Sequence, residues 1–217
     1  MEKNIHFRLN GQNKNKIFEI FNSSLFYAAA IFIPVLMNFV SIPIIISCEG
    51  VVDWSIVVSS QSLAYFFTVV VQLGWNINGP TSRATNPSVS VSEIFLQSVT
   101  MRIVAFLMCL PIALIMLHFL IGFNALSLLA FLGVYPTSLL SSWKFITLNR
   151  PGKLFVRETL PRTIFSVIGI SLSVSSNSAI YFLTFVMIGN LAAVILSFNT
   201  EEISRTINNI INIKLIN

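Results

Sequence analysis

Charged side chains are scarce in this sequence. Asp, Glu, Lys and Arg together make up 10% of the 217 residues, whereas 55% of the residues are hydrophobic. A soluble domain usually carries about 25% charged residues, so too few polar side chains remain to cover a water-facing surface of this size. The composition therefore excludes an ordinary soluble domain and predicts an integral membrane protein.

Cysteine is also rare, and the sequence patterns typical of enzymes are missing. Cys48 and Cys109 do not form a CxxC pair, so we predict neither a disulfide nor a metal site. The sequence has no nucleophile–base pair, no metal-ligand spacing and no phosphate-binding glycine loop. We therefore expect neither an enzyme nor a cofactor. We interpret the net charge of +5 as a topology signal, and we do not expect nucleic acid as a partner.

Six apolar runs approach the roughly 20 residues that a membrane-spanning helix needs. They cover residues 23–47, 54–76, 100–121, 125–145, 155–174 and 178–198. These runs predict an all-α membrane protein in which residues 1–217 form one bundle of six transmembrane helices. The spacing of Ile203, Ile207, Ile210 and Lys214 indicates an amphipathic tail at residues 200–217, and a linker to a further segment is equally compatible with this stretch.

The basic residues all fall on one side of this six-helix arrangement. The 13 Lys and Arg residues lie in the N-terminal tail, in or beside the connection between spans two and three, in or beside the connection between spans four and five, and in the C-terminal tail. The other three turns contain none. Basic residues are enriched on the cytoplasmic side of membrane proteins, so the sequence predicts a multi-pass protein with both termini in the cytoplasm.

Neutral polar residues follow one face of the second span. The stripe consists of Gln61, Tyr65, Thr68, Gln72 and Asn76, at spacings of four, three, four and four. Amides that faced lipid would be costly, so this stripe must meet protein or water, and we favour a polar cavity. For the stripe of the first span, which includes Asn38, helix packing and cavity lining are equally compatible.

Ionisable residues are absent from the centres of the predicted spans. Proton-coupled and cation-coupled transporters commonly place such a group at mid-depth in the membrane. We therefore do not expect a self-contained proton relay in these six helices.

Two stretches resemble a known family of transporters. Gly74-Trp75-Asn76, followed by Arg83, closes the second span, and residues 141–165 (SSWKFITLNRPGKLFVRETLPRTIF) connect spans four and five. Both resemble the Wzx-like polysaccharide and O-antigen flippases of the multidrug/oligosaccharidyl-lipid/polysaccharide exporter superfamily. The resemblance implies one six-helix lobe that moves an isoprenoid-pyrophosphate-linked oligosaccharide across the plasma (inner) membrane.

The resemblance also implies partners and binding residues. A lipid pyrophosphate is anionic and would be attracted by cations near helix ends, and the candidates are Arg83, Arg102 and Arg162. The polar stripe would hydrogen-bond the sugar. Family members use two lobes in one chain, so we expect this chain to be an N-terminal half, a truncated transporter or a homodimer, in contact with membrane lipids.

Two other functions stay open from the sequence. A drug or small-molecule exporter of the same superfamily would be expected to carry an acidic residue within the membrane. A non-transporting membrane scaffold, or an inactive remnant, would need no such residue.

Overall fold

The computed structural model describes residues 2–86 and 88–198, with side chains from Phe21 onward. Within these ranges the chain is helical and has no strand, which confirms the predicted all-α class. The helices are α1 (Glu2–Gln72), α2 (Trp75–Thr85), α3 (Val91–Leu120), α4 (Ala125–Val134), α5 (Ser142–Thr147), α6 (Pro151–Leu154), α7 (Leu160–Ser176) and α8 (Ala179–Ser197). A 3₁₀ turn, Tyr135–Leu139, extends α4, and a π turn, Phe155–Thr159, joins α6 to α7.

A glycine folds the first long helix back on itself. Gly50 has φ 87° and ψ 175°, a conformation that glycine adopts readily and that strains residues with a Cβ. The halves before and after it, residues 2–49 and 51–72, lie side by side, because Ile45 and Val57 belong to one buried cluster. We call these halves α1a and α1b. They contain the predicted spans one and two.

One carboxylate connects the turn before α1b to the turn before α8. Oε1 of Glu49 accepts hydrogen bonds from the Ser178 hydroxyl (3.0 Å) and from the Ala179 backbone N–H (2.7 Å). The first N–H groups of a helix have no partner within the helix, so Glu49 caps α8. The start of α4 packs into the same buried cluster as Ala179. The turns before α1b, α4 and α8 therefore lie at one end of the bundle.

Glycines bring α7 and α8 into close contact. A Cβ on Gly169 would lie 2.9 Å from the Cβ of Phe185. A Cβ on Gly189 would lie 2.9 Å from the Cβ of Phe165 and 3.3 Å from the Cα of Arg162. Small residues at such contacts are typical of helix packing in membranes. They place α8 directly against the backbone of Arg162.

Four helical stretches among the described residues are long and apolar enough to cross a membrane. They are Phe21–Thr85, Val91–Leu120, Ala125–Thr147 and Ala179–Ser197. The first contains the Gly50 turn. A helix of 65 residues would measure roughly 98 Å, about three times the hydrocarbon thickness, so it must fold back. These stretches agree with the prediction of a helical membrane protein.

Several of the predicted span boundaries differ from the helices in the structure. The predicted fourth span, residues 125–145, is interrupted at Leu140 and Ser141, between the 3₁₀ turn and α5. α3 begins at Val91 instead of residue 100, because Ser90 and Glu93 form a reciprocal capping box at its start. The fifth predicted span begins at Pro151 instead of residue 155, because α6, the π turn and α7 run on without a break. The second span ends at Gln72 instead of residue 76. The predicted tail helix, residues 200–217, lies outside the described residues.

Candidate functional site

A polar groove runs between α1a, α1b and α7 and contains most of the predicted binding residues. Two adjoining cavities form it, and they share Tyr65, Thr137 and Arg162 as lining residues. Seven of the nine candidates line these cavities: Asn38, Gln61, Tyr65, Thr68, Gln72, Asn76 and Arg162. We call this feature the central groove. The polar stripe of the second span thus lines a cavity in the structure.

The two cavities of the central groove differ in size. The first, between Asn38, Gln61 and Arg162, measures about 60 Å³ and has room for a few water molecules. The second, beside Thr68 and Gln72, measures about 330 Å³. Pockets for drug-sized ligands usually measure about 300–1,000 Å³. The larger cavity therefore lies at the lower end of this range and has room for one small headgroup.

Two residues with left-handed backbone conformations interrupt the helix at the end of the polar stripe nearest α2. Leu73 and Gly74 both have positive φ, at 49° and 70°, so α1 ends and α2 begins within two residues. The Asn76 amide then donates to the Gln72 side-chain oxygen at 2.9 Å across the break. The asparagine that the sequence placed at the end of a span therefore lies in the first turn of a second, differently directed helix.

Arg162 is the cation of the central groove, and it lies deep in the bundle. It is the twelfth residue of the continuous helix that begins at Pro151. At 1.5 Å per residue, this is roughly 17 Å from the start of that helix. The sequence analysis placed Arg162 near a helix end because it started this helix too late. In the structure its side chain lines both polar cavities.

A buried acid lies behind Arg162, and the sequence analysis did not single it out. Glu158 lies in the π turn and is almost fully buried. Its Oε2 accepts a hydrogen bond from the Ser142 hydroxyl at 2.5 Å. Arg162 and Arg102 both stabilise the carboxylate electrostatically. A π turn often marks a functional position in a helix. Here the π turn contains Glu158, which interacts electrostatically with Arg162 and Arg102.

Arg102 lies inside the protein instead of at an open mouth. Its side chain is fully buried. Nη1 donates to the carbonyls of Leu140 (2.8 Å) and Ser138 (3.4 Å), and Nη2 donates to the Ser141 hydroxyl. Ser138 lies in the 3₁₀ turn, and Leu140 and Ser141 lie between that turn and α5, where the helical hydrogen bonds stop. Arg102 therefore supports the backbone break behind the central groove and does not line either cavity.

Arg83 also lies outside the central groove. It is in the last turn of α2, and its Nη1 donates to the Val89 carbonyl at 2.6 Å, which ties α2 to the segment before α3. Gly79 in the same helix packs so closely on the Trp143 indole that an added Cβ would lie 2.6 Å from the ring. α2 is thus held against α5. The three candidate arginines have three different environments.

Asn190 on α8 adds a polar group that the sequence analysis missed. Its amide nitrogen donates to the Gly133 carbonyl at 2.5 Å. Its Oδ1 is buried, has no hydrogen-bond partner among the described residues, and belongs to a side chain that lines the smaller cavity. The signal was present in the sequence as an asparagine in the middle of an apolar run, where a polar side chain is costly unless it has a partner.

Comparison with known proteins yields no relative for this chain: no family model, no curated protein and no solved structure matches it.

Proposed function

We propose that this chain is one lobe of a translocator for a lipid-linked oligosaccharide in the plasma (inner) membrane. The observation that carries the proposal is the convergence of Arg162 and six neutral polar residues on the central groove. An arginine among neutral amides and hydroxyls suits a ligand that combines an anionic phosphate with sugar hydroxyls. Its planar guanidinium can hold a phosphate through two parallel hydrogen bonds.

The size of the central groove supports a two-lobe arrangement. The larger cavity, about 330 Å³, accommodates a pyrophosphate and little else. The sugar would extend along Gln61, Gln72 and Asn38 into space closed by a second six-helix lobe or a second copy of this chain. The lipid tail would stay in the bilayer, beside the many exposed apolar side chains of α1 and α3.

The distribution of charge supports the proposed orientation. The described side chains include seven cations: Arg83, Arg102, Lys144, Arg150, Lys153, Arg157 and Arg162. None lies in the turns before α1b, α4 and α8, which share one end of the bundle. Under the positive-inside rule the opposite end faces the cytoplasm, so both termini would be cytoplasmic.

A binding measurement tests the proposal without requiring the second lobe. We expect Arg162→Gln to weaken the binding of an isoprenoid-pyrophosphate disaccharide to the purified chain by roughly ten- to a hundredfold, because one hydrogen bond to a charged group contributes about 1.5–3 kcal/mol. Arg162→Lys should lose less, since it keeps the charge but not the two-pronged geometry. Microscale thermophoresis in detergent gives the dissociation constants.

The matched control is Arg83→Gln, which removes one cation outside the central groove. It should leave the dissociation constant nearly unchanged, and a polyprenol without pyrophosphate should bind all variants equally. Unchanged binding by Arg162→Gln, with a normal thermal unfolding temperature, would remove Arg162 from the site and contradict the proposal.

A drug or small-molecule exporter is the second candidate, and one observation favours it. Such an exporter was expected to carry an acid within the membrane, and Glu158 is a buried acid beside Arg162. Glu158 does not line either cavity of the central groove, and it already accepts a hydrogen bond from Ser142. Expression of the chain together with its second lobe in drug-sensitive cells decides between the two: resistance that Glu158→Gln abolishes would favour the exporter.

A further inference from the structure

A second polar feature, separate from the central groove, is a basic pocket between the start of α3, α5 and the π turn. It measures about 320 Å³. Four cations line it: Lys144, Arg150, Lys153 and Arg157. The other described lining residues are Val91, Ser92, Phe145 and Leu148, so none of the lining residues that the structure describes is acidic. We call this feature the basic pocket.

The cations of the basic pocket are held close together by the local fold. Lys144 is only 8% exposed, and its ammonium lies 3.8 Å from the centre of the Phe95 ring, within the range of a cation–π contact. A tight turn after α5 returns the chain, with the Arg150 N–H donating to the Phe145 carbonyl at 2.9 Å. Arg150, Lys153 and Arg157 line the same small space as Lys144. Like charges this close repel one another, and a bound anion would relieve this repulsion.

The surroundings of the basic pocket indicate that the anion is attached to a lipid. Exposed apolar side chains flank the cations along the same segment, among them Ile146, Leu148 and Val156. A free phosphate gains nothing from such neighbours, whereas acyl chains can lie against them. Basic pockets between membrane helices on the cytoplasmic side are suited to anionic lipid headgroups.

We propose that the basic pocket binds the phosphate of an anionic phospholipid, such as phosphatidylglycerol or cardiolipin. Arg150, Lys153 and Arg157 contact the headgroup, while Lys144 supplies fixed charge at the base of the pocket. Arg157 lies in the π turn, and the central-groove residue Arg162 follows it in α7. This site does not depend on the identity of the translocated molecule.

The test compares lipids retained by the full chain after release from nanodiscs that contain equal amounts of phosphatidylcholine and phosphatidylglycerol. Native mass spectrometry should find phosphatidylglycerol strongly enriched on the wild-type chain. Lys153→Gln, an exposed position, should reduce this enrichment by roughly fivefold, the effect of one basic residue near an anionic surface. The triple variant Arg150→Gln, Lys153→Gln, Arg157→Gln should reduce it by on the order of a hundredfold.

Two controls make the outcome decisive. Lys153→Arg keeps the charge and should keep the enrichment, and Arg83→Gln removes a cation outside the pocket and should change it little. Equal loss in Lys153→Gln and Arg83→Gln would mean that only overall charge attracts the lipid, which overturns the proposal. Displacement of the lipid by millimolar inorganic phosphate would identify a soluble-anion site and would also overturn it.

Discussion

At the scale of single residues, the three arginines near the predicted binding region illustrate how the same side chain acquires different roles. Arg162 lines the central groove, Arg83 ties α2 to the chain before α3, and Arg102 supplies hydrogen bonds to a backbone break. Burial separates them most clearly, because Arg102 is fully enclosed and Arg83 and Arg162 are not. A buried cation whose donors are used by carbonyls has a structural role.

The structural role of Arg102 leads to a prediction about stability. We expect Arg102→Met to lower the free energy of unfolding by about 3–5 kcal/mol, because it leaves the Leu140 carbonyl without its donor and removes one of the two cations that stabilise the buried Glu158. Unfolding in detergent with increasing dodecyl sulfate, followed by circular dichroism, measures the change. Arg157→Met, on the outer side of the same region, should cost less than about 1 kcal/mol. Equal stabilities for the two variants would contradict the assignment.

At the scale of elements, α1b presents two chemically different surfaces on adjacent residues. Tyr65 is 51% exposed and lines both cavities of the central groove, whereas Phe66 is 59% exposed and lines neither. Thr68, a further member of the stripe, is buried, and its hydroxyl has no hydrogen-bond partner among the described residues. The helix thus separates a water-accessible face from a face suited to lipid.

This separation predicts the reactivity of introduced cysteines. In a background that lacks Cys48 and Cys109, Tyr65→Cys and Gln72→Cys should react quickly with a water-soluble maleimide, because both positions open into the central groove. Phe66→Cys should react much more slowly despite its similar exposure, since lipid would cover it. Mass spectrometry of the reconstituted chain gives the rates. Similar rates at residues 65 and 66 would contradict a polar groove bounded by a lipid-facing surface.

At the scale of the whole molecule, the positive charges are distributed unequally between the two ends of the bundle. The turns before α1b and α8 meet through Glu49, and those turns hold no Lys or Arg. The basic pocket belongs to segments that carry positive charge. Under the positive-inside rule we expect the positive end of this bundle to lie in the cytoplasm.

The asymmetry gives a topology prediction. A reporter inserted after Asn149 should report the cytoplasm, whereas reporters after Glu49 or Asn177 should report the outside, because the positive charges retain the first site and are absent near the other two. Paired alkaline phosphatase and green fluorescent protein fusions provide the measurement. The reverse pattern would contradict both the orientation and the cytoplasmic location of the basic pocket.

The sequence by itself determined the membrane class, the all-α fold and the face of α1b that is polar. These properties are local, since hydropathy and the 3.6-residue period depend only on neighbouring residues. The helix starts at Val91 and Pro151 also depend on local sequence. Their signals are the Ser90–Glu93 capping box and a proline suited to the first turn of a helix. A prediction from hydropathy alone missed both helix starts, because the first turns of these helices are polar.

The tertiary structure decided which side chains meet. Sequence could not separate Arg162 from Arg102, because both lie in apolar helices and their roles depend on what each helix faces after packing. Gly189 allows α8 to pack closely against the backbone at Arg162. This packing places Asn190, from a distant part of the chain, in the lining of the central groove. A helical period places a side chain on a face of its own helix, whereas the rotation and close approach of neighbouring helices determine whether that face borders lipid, protein or a cavity.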